Sequence, residues 1–129
     1  MERIITVEAS PSAPRMVRSA IRDALAAHPS LDTAVLVSSE LVASAVRVSH
    51  GEITIHVIGP DHVRIEVTDQ RGTNPRTHDS LTEPGAPDPL GLVSLLASIG
   101  SHRQVNGDTT TWADIGLPPI PARSSQPHS

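Results

Sequence analysis

The feature that most constrains the fold is a run of alternating apolar and polar residues from Glu52 to Asp69. Apolar side chains occupy every second position on both sides of a central Gly-Pro-Asp at 59–61: Ile53, Ile55 and Val57, then Val63, Ile65 and Val67. A period of two predicts two strands with one buried face, and the central Gly-Pro-Asp predicts a hairpin turn. A three-residue loop gives the cross-strand pairs 57/63, 55/65 and 53/67, which place all six apolar side chains on one face.

Asp69 ends the second strand in phase with its apolar residues, so we expect its carboxylate on the buried face at the edge of the sheet. An unpaired buried charge is costly, which means that this carboxylate needs hydrogen-bond donors. A ligand could supply them, or Asp69 could serve as a cap or turn residue before Gly72; both interpretations stay open. We expect the residues of the opposite face to meet solvent rather than bind a metal: Thr54, His56, Arg64 and Glu66.

A short strand and a helix precede the hairpin. The strand is predicted over Arg3 to Val7, and Ser10, Pro11 and Ser12 open a helix that runs to about Ala27. Its buried stripe is predicted to consist of Val17, Ile21 and Leu25. Three arginines lie away from this stripe, either as a solvated basic face or as a partner-binding surface: Arg15, Arg18 and Arg22.

A second helix includes the segment from Leu36 to His50 and is predicted to end at about Ser49. At about 100° per residue, one arc is apolar, with Leu31, Val35, Val42 and Val46, and we expect it to be buried. The opposite arc carries Glu40, Ser44 and Arg47. These three side chains are either a solvated helix face or a chemical site.

The rest of the chain divides into a connection, a helix, two strands and a tail. We expect residues 70–88, which contain several Gly and Pro, to be a long lid loop. A nearly all-apolar helix, buried on most sides, is predicted from Pro89 to Ile99, with Gly100 ending it. Strands are predicted over His102–Val105 and Thr109–Ile115 with a turn between them, and we expect residues 117–129 to be a disordered tail after a single domain over 1–116.

Composition excludes several classes of protein. The chain has 129 residues with a net charge of −4, all ten basic residues are Arg, and one aromatic residue, Trp112, is present. A broad basic footprint or a stacking platform for nucleic acid is therefore not expected. The absence of Cys excludes disulfides and thiolate zinc sites. No apolar run has the length of a signal peptide or of a membrane span, so we expect a soluble, cytoplasmic protein with no membrane partner.

Three sequence segments occur in the order of elements given above: ELVASAVR on the second helix, VTDQRG at a strand end and GDTTTWADI at the end of the domain. Together they resemble the anti-sigma-factor serine kinases of the GHKL (Bergerat, histidine-kinase-like) ATP-binding superfamily, over about residues 4–115. The resemblance implies a two-layer α/β (α+β) sandwich whose mixed, largely antiparallel sheet has its helices on one face. It also implies a sigma factor, an anti-sigma-factor antagonist and a second copy of the chain as partners.

The resemblance assigns candidate roles to individual residues. The family's general base, which activates the attacking hydroxyl, matches Glu40, and the family's Mg²⁺-holding Asn matches Ser44, with Arg47 in the same motif. The strand-end Asp that reads the adenine amino group matches Asp69. Three further positions match what is left of the glycine motifs and of the closing box of the ATP site: Gly72, Gly91 and Thr109.

Several residues depart from the family pattern. Ser44 is a neutral hydroxyl, a poorer Mg²⁺ ligand than Asn. Pro87 and Pro89 stand where the family has glycines that cradle phosphate. Asp88 and Pro89 form a strong helix start. In such a start the Asp88 carboxylate accepts hydrogen bonds from the first backbone amides of the helix, and its negative charge repels a phosphate.

Three functional hypotheses follow. The first, which we prefer, is a regulatory protein that acts by protein–protein interaction with ATP binding weakened or lost. The second is an active ATP-dependent serine kinase acting on an anti-sigma-factor antagonist, supported by Glu40 and Asp69. The third is a small α/β interaction domain unrelated to nucleotides, in which Glu40, Ser44 and Arg47 are ordinary surface residues.

Overall fold

A computed structural model describes residues 1–49, 51–70 and 91–116. In this part of the chain it is an α+β fold with a five-stranded antiparallel sheet and three helices. The elements, in chain order, are β1 (Glu2–Glu8), α1 (Ala13–Ala24), α2 (Leu31–Val48), β2 (Glu52–Ile58), β3 (Val63–Asp69), α3 (Gly91–Leu96), β4 (Ser98–Arg103) and β5 (Thr109–Ile115).

The strand order in the sheet is β1-β2-β3-β5-β4, and each neighbouring pair is antiparallel. The prediction of a mixed sheet is therefore wrong for the described strands. The helices lie on one face, as expected, because apolar residues of all three join the inward residues of the sheet in one core. Gly72, the predicted lid beyond Gln70 and the predicted tail at 117–129 lie outside the described residues.

Period-two alternation correctly identified the inward face of β2 and β3. The six predicted core residues of the hairpin are each at most 1% exposed. Asp69 continues the same phase and is also 1% exposed, so the expectation that it points inward is confirmed. Burial of these aliphatic side chains supplies most of the core, since the chain has a single aromatic residue.

The hairpin register differs from the predicted one by two residues. The observed pairs are Ile55 with Val67 and Val57 with Ile65, rather than 55/65 and 57/63. The turn is wider than three residues because Gly59 exchanges backbone hydrogen bonds with Met1, each 2.8 Å long, and His28 Nε2 donates to the carbonyl of Pro60 at 2.6 Å. A shift of two keeps every apolar side chain on its predicted face, whereas a shift of one would have exposed them all.

Helix α2 is buried along a different arc from the predicted one. Val42 is fully buried, but Leu31, Val35 and Val46 are only partly buried. The side chains that are buried most completely lie on the neighbouring arc: Ala34, Val37, Leu41, Ala45 and Val48. The physical reason is that α2 packs against α1 as well as against β2, β3 and β5, so it is covered from two directions.

The apolar segment before β5 is a short helix followed by a strand, not one buried helix. Of the predicted helix from Pro89 to Ile99, residues Gly91–Leu96 form α3, while the predicted start at Asp88 and Pro89 and the nearby Pro87 lie outside the described residues. Only Val93 of α3 is fully buried. Leu92, Leu95 and Leu96 are exposed. Strand β4 begins at Ser98 instead of His102, so Gly100 is a strand residue beside Trp112 and not a helix cap. None of the described helices is long and apolar enough to span a bilayer.

Candidate functional site

The C-terminal end of α2 and the end of β3 lie at the same edge of the molecule. At this edge the backbone N–H of Gln70 donates to Ser49 Oγ at 3.1 Å. At the other end of α2, Ser30 Oγ donates to the carbonyl of Gly116 at 3.5 Å. Helix α2 therefore runs alongside β3 in the same direction. This direction brings Ser44 and Arg47, in the second half of α2, toward the edge that carries Asp69.

A row of three polar residues crosses the sheet at this edge, on the side of the helices. Asp69 of β3 pairs with Thr109 of β5, and Thr109 pairs with Arg103 of β4. Asp69 and Thr109 are 1% and 8% exposed, while Arg103 is exposed. The sequence indicated Asp69 and Thr109 but missed Arg103, because only the register of β4 against β5 pairs Arg103 with Thr109 and so places it in the row.

The three polar residues of α2 do not form one solvated face. Arg47 is exposed, Glu40 is half-buried and Ser44 is buried, at 6% exposure. Ser38 and Ser39 direct their hydroxyls to backbone carbonyls of their own helix, at 3.2 and 3.0 Å. Ser44 Oγ has no such bond to any group in the described part of the chain.

The two glycines assigned by resemblance differ in what can be said of them. Gly91 is half-buried at the start of α3, and its carbonyl accepts a hydrogen bond from Ser94 Oγ at 2.7 Å. Helix α3 packs against α2 and β4, so Gly91 belongs to an element that adjoins the helix carrying Glu40 and Ser44. Gly72 lies outside the described residues.

The opposite face of the sheet carries a network of charges that links four strands. Arg64 donates to Glu66 at 2.8 Å and to Asp114 at 3.0 Å, and His56 contacts both Glu2 and Glu66. The Arg64 guanidinium also lies 4.6 Å from the centre of the Trp112 ring. The four residues expected to face solvent do lie away from the helices, but ion pairs leave Arg64, Glu66 and His56 only about 30% exposed.

The same network shifts the pKa of two of its members. The hydrogen bond to Glu66 is the largest effect on Arg64 and raises its pKa, against the opposing effect of desolvation. For Asp114, desolvation is the largest effect and opposes ionisation, but hydrogen bonds from His62 and Arg64 together hold the pKa of this carboxyl below its ordinary value. These charges stabilise the outer face and lie on the far side of the sheet from Asp69.

Chemically, the residues near the α2–β3 edge can do some of what a nucleotide site requires. The carboxylate of Asp69 can accept a hydrogen bond from an exocyclic amino group, and Glu40 can accept a proton. A single neutral hydroxyl at Ser44 is a weak Mg²⁺ ligand, because Mg²⁺ prefers carboxylates and phosphate oxygens in octahedral geometry. The described residues contain no cluster of three or more His, Asp or Glu side chains that could hold a metal ion.

The sequence matches no protein-family model and no curated protein.

Proposed function

We propose that this chain is a regulatory protein related to the anti-sigma-factor serine kinases of the GHKL superfamily, with a Bergerat-type fold. In this proposal it acts through contacts with a sigma factor, an antagonist protein or a second copy of itself, and its ATP binding is weakened or lost. The antiparallel sheet with helices on one face supports the proposal. So does the position of Asp69 beside Thr109, at the edge reached by the end of α2.

The observation that carries the proposal is Ser44. It lies one helical turn after Glu40, is 6% exposed and presents a hydroxyl where the related kinases have a carboxamide that holds Mg²⁺. A hydroxyl is shorter than a carboxamide and provides one oxygen without the carbonyl dipole. In this proposal the Mg²⁺ ion that accompanies the triphosphate of ATP has no carboxamide ligand at position 44. Glu40 and Asp69 remain at the positions of the base and of the carboxylate that reads adenine.

Calorimetric titration of the wild-type chain with ATP and Mg²⁺ tests this. We expect no saturable heat at millimolar nucleotide, and no rise in melting temperature, since a ligand stabilises only the state that it binds. The double variant Ser44→Asn, Pro89→Gly reverses two departures from the family pattern, because it puts back the family's Asn and one of its glycines. We expect it to gain measurable binding.

Two variants serve as controls for that gain. Ser44→Ala removes the hydroxyl without adding an amide, so its titration should match that of the wild type. Adding Asp69→Asn to the double variant should abolish any gained binding, because an amide in place of the carboxylate changes the adenine contact. Saturable binding of Mg·ATP by the wild type, with stabilisation of several degrees, would contradict the proposal.

An active serine kinase is the alternative, and the buried position of Asp69 favours it. Under this hypothesis the protein transfers the γ-phosphate of ATP to a serine of an anti-sigma-factor antagonist, with Glu40 as the base. Radiolabel transfer to an antagonist protein that is lost in Glu40→Ala would establish it. If Glu40→Ala leaves the transfer unchanged, Glu40 is not the base.

A further inference from the structure

Three arginines form a continuous row on the outer face of α1. Arg15 and Arg22 are exposed and Arg18 is half-buried, and their spacing of three and four residues places them on one side of the helix. The buried stripe of α1, made of Ala13, Val17 and Ile21, lies on the other side, where the helix packs against α2 and β1. We call Arg15, Arg18 and Arg22 the arginine row.

The charges of the arginine row are not neutralised within the described fold. No carboxylate of residues 1–49, 51–70 and 91–116 lies within 4.0 Å of these three guanidinium groups. Arg64, by contrast, has Glu66 and Asp114 at 2.8 and 3.0 Å. Arg64 is therefore paired with acids on the outer face of the sheet, whereas no described carboxylate pairs with the arginine row.

The arginine row also works against the stability of its own helix. Like charges three or four residues apart repel each other, and this applies to Arg15 with Arg18 and to Arg18 with Arg22. Arg15 lies in the first turn, where the helix dipole is positive, and that turn has no acidic residue. Only Arg22, in the last turn, is favourably placed. The electrostatics of the helix therefore do not account for the row.

We propose that the arginine row docks an acidic helical segment of a partner protein. From Arg15 to Arg22 the row spans about 10 Å along the axis, the distance over which an opposing helix presents carboxylates at i, i+3 or i+4, and i+7. Each guanidinium group can bind a carboxylate in a bidentate manner, by donating two hydrogen bonds to it. Met16, 52% exposed beside the row, adds apolar contact of the kind that protein partners use.

Charge complementarity selects this occupant over a long polyanion. The whole chain carries a net charge of −4, which repels the extended charge of duplex DNA or an anionic membrane. A local row of three arginines suits a local row of acids, which a short helix provides. The inference deepens the proposed function by stating the partner's chemistry, and it rests on that proposal only for the existence of a protein partner.

A fluorescence-anisotropy titration tests the row directly. The probe is a labelled alanine-based helix of about 20 residues, long enough to be helical alone, with glutamates at i, i+3 and i+7 in successive repeats. Its control replaces each glutamate by glutamine. We expect the acidic peptide to bind the wild-type chain, the binding to weaken as salt is raised, and the glutamine peptide not to bind.

Variants locate the binding on the protein. The triple change Arg15→Gln, Arg18→Gln, Arg22→Gln should weaken the acidic peptide by roughly tenfold or more, at a few-fold per arginine. Arg18→Gln alone should weaken it a few-fold, while Arg3→Gln, which removes the same charge from an exposed residue of β1, should have little effect. Circular dichroism checks that the triple variant folds, which is expected because none of the three side chains is buried in the core.

Two results would overturn the inference. One is equal affinity of the wild type and the folded triple variant for the acidic peptide. The other is arginine-dependent binding to phosphatidylserine vesicles or duplex DNA without binding to the peptide. Its failure is distinguishable from failure of the proposed function, because Mg·ATP binding by the wild type contradicts the latter and leaves the peptide titration unaffected.

Discussion

Gly100 of β4 is the position where adding one methyl group should disturb the sheet most. It pairs with Trp112 of β5, whose indole lies across it. A Cβ atom at Gly100 would lie 2.3 Å from Trp112 Cζ2 and 2.7 Å from Cε2. Ordinary contact between carbon atoms requires about 3.5 Å or more, so Gly100→Ala must displace the ring by roughly 1 Å.

The loss in free energy of unfolding caused by Gly100→Ala can be bounded from the contacts of the Trp112 ring. Overpacking of this kind costs about 1–3 kcal/mol, and a half-exposed ring that can tilt toward solvent places the cost at the lower end. Moving the ring also disturbs its contact with Arg64, and such a contact is worth about 0.5–1 kcal/mol at an exposed site. Alanine recovers about 0.5–1 kcal/mol relative to glycine through its lower entropy loss in a strand. The net expectation is a destabilisation of about 1–2 kcal/mol.

Urea denaturation followed by far-UV circular dichroism measures this difference. Trp112 is the only tryptophan, so its emission separately reports whether the ring has moved toward water. Gly116→Ala is the matched control, because a Cβ there meets nothing within 4 Å, and it should leave both signals unchanged.

A second background gives the sharpest form of the test. With Trp112→Ala already present, the obstacle is gone and Gly100→Ala should become neutral or slightly stabilising. Two results would refute a clash with Trp112 as the cause: an equal cost of Gly100→Ala in both backgrounds, or unchanged stability and emission when Gly100→Ala is made in the otherwise wild-type chain.

Two further predictions concern the sheet. Because the pKa of Asp114 is lowered in the fold, its ionised form stabilises the protein above its unfolded value of 3.8, and this contribution is lost as pH falls through the lower folded pKa. The stability gap between wild type and Asp114→Asn, measured by urea denaturation, should therefore be largest above about pH 4 and narrow at lower pH; a gap independent of pH contradicts the argument. Ile65→Ala, at a position 0% exposed in the central strand, should lower the free energy of unfolding by about 2–5 kcal/mol. Ile4→Ala, at a position 64% exposed on β1, should lower it by less than about 0.5 kcal/mol. Similar losses for both variants would show that burial does not set the cost.

The sequence predicted the inward face of the sheet well because that face depends on a local rule. Alternation fixes which side of a strand each residue occupies, and it holds for β2, β3 and the buried end at Asp69. The pairing of Ile55 with Val67 depended on the width of the turn. That width follows from contacts of the turn with Met1 and His28, which are distant in sequence.

Predictions failed where tertiary contacts decide the outcome. A short apolar run such as the one before Gly100 fits a helix or a strand equally well, and its strand half is fixed by pairing with β5. Helix α2 looked amphipathic along one stripe, yet α1 and the sheet bury it from two directions, and Ser44 is buried as a result. For the same reason Arg103 was missed, since only the register joins it to Asp69.

The two proposed surfaces belong to different elements that both adjoin α2. The arginine row belongs to α1, whereas Asp69 and Thr109 belong to β3 and β5, and α2 packs against all three elements. A helix docked on the outer face of α1 therefore contacts a different element from those that carry Asp69 and Thr109. An influence of a nucleotide on partner binding has two packed routes to α1, one through α2 and one through β1 and the sheet. If nucleotide binding is lost, α2 remains the helix against which α1 packs while it presents its arginines.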